Sequence, residues 1–253
     1  MVTAITRQVS PRFAECEITH IERTSIDLDR ARAQHGGYVH ALKSLGCEVI
    51  ELPAEPHLPD SVFVEDTAVI LPEVAVITRP GADSRKPETE SIARALAPLR
   101  KLVYVREPAT VDGGDVLVVG RKIFVGLSTR SNRDAIDQLQ TLLEKYGYSV
   151  LGVQLHDCLH LKSAVTRVDD ETLLINKNWV DTSHFVGFDL IEVDPSEPYA
   201  ANCLPVENTI IFPTAFPGTR ARLEARGTVI CGMDVSELAK AEGAVTCCSL
   251  IIT

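Results

Sequence analysis

Five short segments recur along the 253-residue chain, each polar or built from small residues and each standing just before an apolar, strand-like run. They are "VED" at 64–66, "GGD" at 113–115, "HLK" at 160–162, "AANC" at 200–203 and "VTCC" at 245–248. Between Asp66, Asp115, Lys162, Cys203 and Cys247 the steps are 49, 47, 41 and 44 residues. A near-constant spacing of this size marks a repeat architecture, in which each unit buries its apolar face against its neighbours. If the units stand as equivalent blades around an axis, the five segments meet at its centre. Residues remote in sequence then share one pocket.

The runs between the segments have the periodicities of such a unit. Apolar residues at helical spacing predict a helix over 27–45, with Tyr38, Ala41, Leu42 and Leu45 on one face and Gly46 as its stop. A second, over 87–98, opens on Pro87 and acids and presents Ile92, Leu96 and Leu99. A third, over 131–146, aligns Ile136, Leu139, Leu142 and Leu143 and ends at Gly147, and a shorter "TRARLEARG" closes at Gly227. Strands are predicted in "CEVIELP", "TAVILPEVAVITRP", "DVLVVGRKIFVG", "AVTRVDDETLLIN", "NTIIFP" and "GTVICG". Three of these runs hold strand pairs, joined at Leu71-Pro72-Glu73, Gly120-Arg121-Lys122 and Val168–Glu171. No Ser/Gly-rich or low-complexity stretch divides the chain, so residues 1–253 read as a single α/β domain.

A net charge of −10 argues against nucleic acid or an anionic membrane surface as partner, since both select a basic face. It agrees with a cationic small ligand. No apolar run reaches the roughly 18 residues of a membrane span. The start, "MVTAITRQVSPRF", lacks the apolar core of a signal peptide, so a cytoplasmic protein is the expectation. The seven cysteines are scattered, odd in number and without paired CxxC spacing, which predicts reduced thiols.

Convergence at an axis would bring together a thiol from Cys247 or Cys248, the imidazole of His160, and the carboxylates of Glu65, Asp66, Asp112 and Asp115. A cysteine nucleophile needs a proton shuttle and a group to orient that shuttle. His160 exchanges protons near neutrality, and Asp112 or Asp115 could hold its ring. The acids in "DSVFVED" interrupt an apolar run, where charge is costly unless paired. They read either as a solvated strand end or as a pocket for a cation, and a guanidinium matches a carboxylate best. Arg85 and Arg130 sit in loops before helices and could clamp a carboxylate. A pocket with acids at one end and arginines at the other fits a zwitterionic amino acid with a cationic side chain.

Together "LPDSVFVEDTAVI", "ITRPGADSR", "TVDGGDVLVVG", "FVGLSTRSN", "LHLKS", "AANC" and "VTCCS", in order from about residue 58 to 250, resemble the dimethylarginine dimethylaminohydrolase family of the guanidino-group modifying (pentein) superfamily. The resemblance implies a five-bladed α/β propeller of ββαβ units. It implies hydrolysis of N-methylated L-arginines to L-citrulline and a methylamine, without cofactor or metal, and is compatible with a homodimer. It puts the nucleophile at Cys247, the proton shuttle at His160 and its supporting acid at Asp112, where other members carry Glu. Asp66 matches the acid on the guanidinium, with Asp60 and Glu65 as neighbouring contacts. Arg85 and Arg130 match the arginines at the substrate carboxylate, and Ile18 falls on a loop over the pocket. Cys247 and Cys248 are read as neighbours on the closing strand, one facing the pocket and the other packing away.

Three alternatives remain on the sequence. A deiminase of arginine or agmatine would commonly carry a second aspartate two residues after the histidine, where this chain has Lys162. A non-catalytic binding propeller would lack one of Cys247, His160 or the supporting acid. With only Cys247 and His160 as soft ligands, zinc would act as an inhibitor rather than a structural ion.

Overall fold

The computed structural model describes residues 2–253. The first unit contributes β1 (Thr3–Arg7), α1 (Leu28–Ser44) and β2 (Glu48–Leu52). The second holds β3 (Ala68–Ile70), β4 (Ala75–Ile77), α2 (Glu88–Leu96) and β5 (Leu102–Tyr104). The third holds β6 (Val116–Val119), β7 (Lys122–Leu127), α3 (Arg133–Leu143) and β8 (Ser149–Gln154). The fourth opens on the single turn α4 (Leu161–Ala164) and continues as β9 (Val165–Arg167), β10 (Thr172–Ile175) and β11 (Asp189–Glu192). The fifth holds β12 (Leu204–Val206), β13 (Thr209–Pro213), α5 (Pro217–Glu224) and β14 (Val229–Met233). The chain then passes through α6 (Ser236–Ala239) to β15 (Leu250–Ile252).

Five three-stranded sheets result, each with one antiparallel and one parallel pairing. In four sheets the antiparallel partner follows through a tight turn, and in four a helix supplies the crossover that the parallel pairing needs. The first sheet takes its antiparallel strand from the far end of the chain: Ile5 of β1 stands opposite Leu250 of β15. This pairing closes the ring of blades and leaves no open seam.

Burial falls from the axis outward. The middle strands are almost continuously buried, and the outer strands β2, β8, β11 and β14 alternate or mix with exposed residues. Ile92 and Leu96 of α2 are fully buried in a core cluster that includes Ala75 and Ile77 of β4 and Leu250 and Ile252 of β15, each contributing roughly 1.5–3 kcal/mol by burial. Asp27 caps α1 by accepting from the Asp29 and Arg30 amides. From the same helix, buried Tyr38 donates its hydroxyl to the Val245 carbonyl at 2.8 Å, fixing the C-terminal axial segment.

Two expectations are corrected. The fourth blade has no α-helix between β10 and β11. Residues 176–188 carry no helically spaced apolar face, and a short 3₁₀ turn capped by Asp181 replaces it, ending before Gly187 at φ +96°. Cys247 and Cys248 lie in the turn 245–248 ahead of β15, not in the strand. Each axial segment bends into a turn or single helical turn before its inner strand begins, so strand alternation does not govern the two thiols.

Candidate active site

Neighbouring residues in three of these axial turns line two different cavities. Asp66, His160 and Cys247 line one small cavity, together with Asp60, Arg85 and Arg130. At about 20 Å³ it has room for about one water. Glu65, Lys162 and Thr246 instead line the other, larger cavity.

His160 donates from Nε2 to Asp112 Oδ2 at 3.1 Å, so the shorter aspartate arm reaches the ring. Asp112 is fully buried, and its Oδ1 accepts the Gly81 amide at 2.9 Å. Asp115 lies behind. It accepts the Ser128 and Ser131 hydroxyls, both at 2.6 Å, and the Leu161 amide at 2.9 Å, which fixes the turn that starts at His160. Burial alone would lower the His160 pKa, but Asp66, Asp115 and Asp112 outweigh it and raise the value to about 9. The ring is therefore an imidazolium at neutral pH. Burial pushes Asp115 the other way, up to about 6.

Asp66 is held on both oxygens. Arg85 Nη1 donates to Oδ2 at 2.6 Å and the Gly114 amide to Oδ1 at 2.9 Å. Burial opposes its charge, yet Arg85, His160 and the Gly114 N–H hold its pKa down to about 2. A Cβ on Gly114 would stand 2.7 Å from His160 Nδ1 and 2.8 Å from Asp66 Oδ1, so only glycine admits both groups. Arg85 is gripped by Glu88 through two contacts, 3.2 and 2.8 Å.

Cys247 Sγ accepts the Ala244 amide at 3.4 Å. Burial first, then the charges of Glu65 and Asp66, push its pKa up to about 12, so the resting group is a neutral thiol. Cys248 is fully buried in the core that includes Phe13, Tyr38 and Leu42. The turn thus separates one thiol from the other as the sequence reading expected, by a different geometry.

A loop over residues 17–20 covers the cavity. The Glu17 amide donates to both Asp60 oxygens at 3.2 Å. The Thr19 and His20 amides donate to Glu242 at 2.8 and 2.6 Å, and Arg130 Nη2 donates to Thr19 Oγ1 at 3.0 Å. Of the residues singled out from sequence, Cys247, His160, Asp66, Asp60, Arg85 and Arg130 meet at this cavity, with Asp112 directly behind His160. Glu65 and Ile18 are not among its lining. Glu65 is turned to Lys162 and Thr246, and Ile18, within this loop, is half-buried with its side chain against the core. The sequence reading missed Glu17 and Glu242, which carry no pattern, and Gly114, whose "GGD" signal was visible.

Among the described residues, Asp66, Asp112 and His160 offer ligand atoms within 4.8 Å of one another. The carboxylate oxygens are already committed as hydrogen-bond acceptors: Asp66 from Arg85 and Gly114, and Asp112 from Gly81 and the ring itself. This is a hydrogen-bonded acid–histidine cluster rather than a preformed cation cage. No helix among the described residues is long and apolar enough to cross a membrane.

A five-bladed α/β propeller with a cysteine, a histidine and acids at its axis defines a guanidino-group modifying fold of the pentein kind. The family model for eukaryotic N,N dimethylarginine dimethylhydrolase matches residues 16–252. The N(G),N(G)-dimethylarginine dimethylaminohydrolase of Streptomyces coelicolor is 40% identical, over 98% of this chain and 95% of its own. That of Pseudomonas aeruginosa is 37% identical, over 88% and 89%. A solved cysteine-to-serine mutant of the Pseudomonas aeruginosa enzyme, complexed with citrulline, superposes with a TM-score of 0.95 at 34% identity, covering 99% of this chain and 98% of that one. The chain belongs to the dimethylarginine dimethylaminohydrolase family.

Proposed function

We propose that the protein hydrolyses asymmetric N-methylated L-arginines to L-citrulline and di- or monomethylamine through a covalent intermediate on Cys247. The observation that carries this reading is the meeting, in one cavity, of a thiol, an imidazolium and an ionised carboxylate, with two arginines beside them. The related solved structures include a dimethylarginine dimethylaminohydrolase adduct with S-methyl-L-thiocitrulline, at a TM-score of 0.95 and 34% identity.

In this reading Asp66 orients the substrate guanidinium, Asp60 faces its α-ammonium, and Arg85 and Arg130 its carboxylate. The incoming cation offsets the charges of Asp66 and Glu65 that raise the Cys247 pKa, so substrate binding promotes loss of the thiol proton to solvent. The thiolate attacks the guanidinium carbon. His160, already protonated, gives its proton to the departing methylamine as the C–N bond breaks, leaving a thiouronium on sulfur. The now neutral ring takes a proton from water, the hydroxide adds to the same carbon, and the C–S bond breaks as the hydroxyl proton passes to sulfur, releasing citrulline and regenerating the neutral thiol. Asp112 keeps Nε2 protonated and the ring in place throughout.

Deimination of unsubstituted arginine is the second reading, motivated by the likeness of fold to the N-terminal domain of an arginine dihydrolase, at a TM-score of 0.84 and 19% identity. Lys162 argues against it, because it is turned away to Glu65 and places no second acid on the guanidinium. The seven free thiols support a reducing, cytoplasmic setting. Citrulline release from arginine, monomethylarginine and dimethylarginine decides between the two readings, with Cys247→Ser as control. Release from the methylated substrates supports the first, and release from arginine alone supports the second.

A further inference from the structure

Behind the reacting groups, one residue from the approach to each inner strand joins a closed polar ring. Lys162 Nζ donates to Glu65 Oε1 at 2.7 Å and to the Gly113 carbonyl at 3.1 Å. Glu65 Oε2 accepts the Thr246 hydroxyl at 2.7 Å. Asn202 Nδ2 donates to Thr246 Oγ1 and to the Lys162 carbonyl, both at 3.0 Å, while its Oδ1 accepts the Thr246 amide at 3.1 Å. The ring visits the segments before β3, β6, β9, β12 and β15. It also holds the reactive turn directly, since the Glu65 amide donates to the Cys247 carbonyl at 3.1 Å.

We propose that Glu65, Lys162, Thr246 and Asn202 are positioning residues that fix the Cys247 turn from behind and balance the charge the thiol feels. This rests on Cys247 being the nucleophile. Glu65 then acts through the turn and its own charge, not by touching substrate, in keeping with its absence from the catalytic cavity wall. Thr246 is adjacent to Cys247, so its two side-chain bonds and its amide bond to Asn202 leave the thiol little freedom of position.

The charges around the thiol come from several elements. Asp66, His160 and Arg85 face it across the cavity, and Asp60, Arg130, Glu17 and Glu242 stand at the rim. The Tyr38 hydroxyl and the Cys248 thiol lie on the core side, and Glu65 with Lys162 lie behind. Only the last two form an ion pair that can be edited one charge at a time without touching the cavity wall. Glu65 disfavours the thiolate and Lys162 compensates it. Removing either charge must therefore move the thiol in opposite directions, which loss of packing alone would not do.

The test is the rate of iodoacetamide alkylation of the full chain at pH 9 without substrate, read on the Cys247 peptide by mass spectrometry. Alkylation follows the thiolate fraction. Lys162→Met should react about tenfold more slowly and Glu65→Gln about tenfold faster, each about one pKa unit. Lys162→Arg, which keeps the charge, should stay close to wild type. If Lys162→Met proves too unstable to purify, the double variant Glu65→Gln/Lys162→Met takes its place and should react at close to the wild-type rate. Shifts of the same sign in the two single variants, no shift in Glu65→Gln, or a double variant that departs tenfold from wild type would overturn the proposal. The readout needs no turnover, so a protein that releases no citrulline from methylarginines would refute the proposed activity and leave this test standing.

Discussion

Asp112→Asn removes one of the three carboxylate charges that keep His160 protonated, with little change in shape. The asparagine oxygen can still accept the Gly81 amide, and its NH₂ would face Nε2 in place of the carboxylate at 3.1 Å. A hydrogen bond to a charged group is worth about 1.5–3 kcal/mol, and one pKa unit is 1.36 kcal/mol, so the loss is roughly 1–2 units. His160 should fall from about 9 to roughly 7–8, with Asp66 and Asp115 still holding it above an unperturbed imidazole, about 6.5. The ring also changes tautomer when neutral, because the amide donates to Nε2 and leaves the proton on Nδ1. NMR titration of the imidazole, assigned against a His160 variant, reads the shift directly, and the alkaline limb of kcat should move down with it. A titration unchanged near pH 9 would refute the reasoning. Linkage gives a second readout. A pKa raised on folding stabilises fully below about pH 6.5 and is lost as pH rises through the folded value, about 9. The wild-type Tm should decline across that window more steeply than that of Asp112→Asn.

Gly114→Ala places a methyl against His160 Nδ1 and Asp66 Oδ1, and displacement of either by even an ångström should lower kcat about 10²-fold, measured by citrulline release. Glu242→Gln leaves one acceptor for two loop amides, so KM should rise several-fold with kcat less affected. A fall in kcat with unchanged KM would exclude the loop-holding role. Cys248→Ala should keep kcat within about twofold while costing about 1 kcal/mol, a drop of about 3 °C in Tm by calorimetry.

The period of the axial segments was legible because each must stop at the axis, and polar or small residues there interrupt apolar runs. Three helices were legible from their apolar faces, and the short fourth from its stop at Gly227. Outer strands such as Leu102–Tyr104 and Asp189–Glu192 were not, because three or four residues with mixed burial carry too little alternation to register. The absence of a helix between β10 and β11 in the fourth blade agrees with the sequence, which shows no periodic apolar face there. Within the site, the meeting of Cys247, His160 and Asp66 follows once the blades are equivalent. The opposite orientation of Glu65 and Asp66 does not. It depends on the local path of a single 3₁₀ turn, Val64–Thr67, in which adjacent side chains diverge toward the two cavities. The loop contacts of Glu242 join positions more than 200 residues apart, with no local pattern to announce them.

In the proposed mechanism Cys247 carries the covalent intermediate. Acid-quenching the enzyme during turnover of dimethylarginine and mapping its peptides by mass spectrometry tests this most directly. An adduct of dimethylarginine less dimethylamine is expected on Cys247 alone. The same adduct on Cys248, or on any other residue, would contradict it.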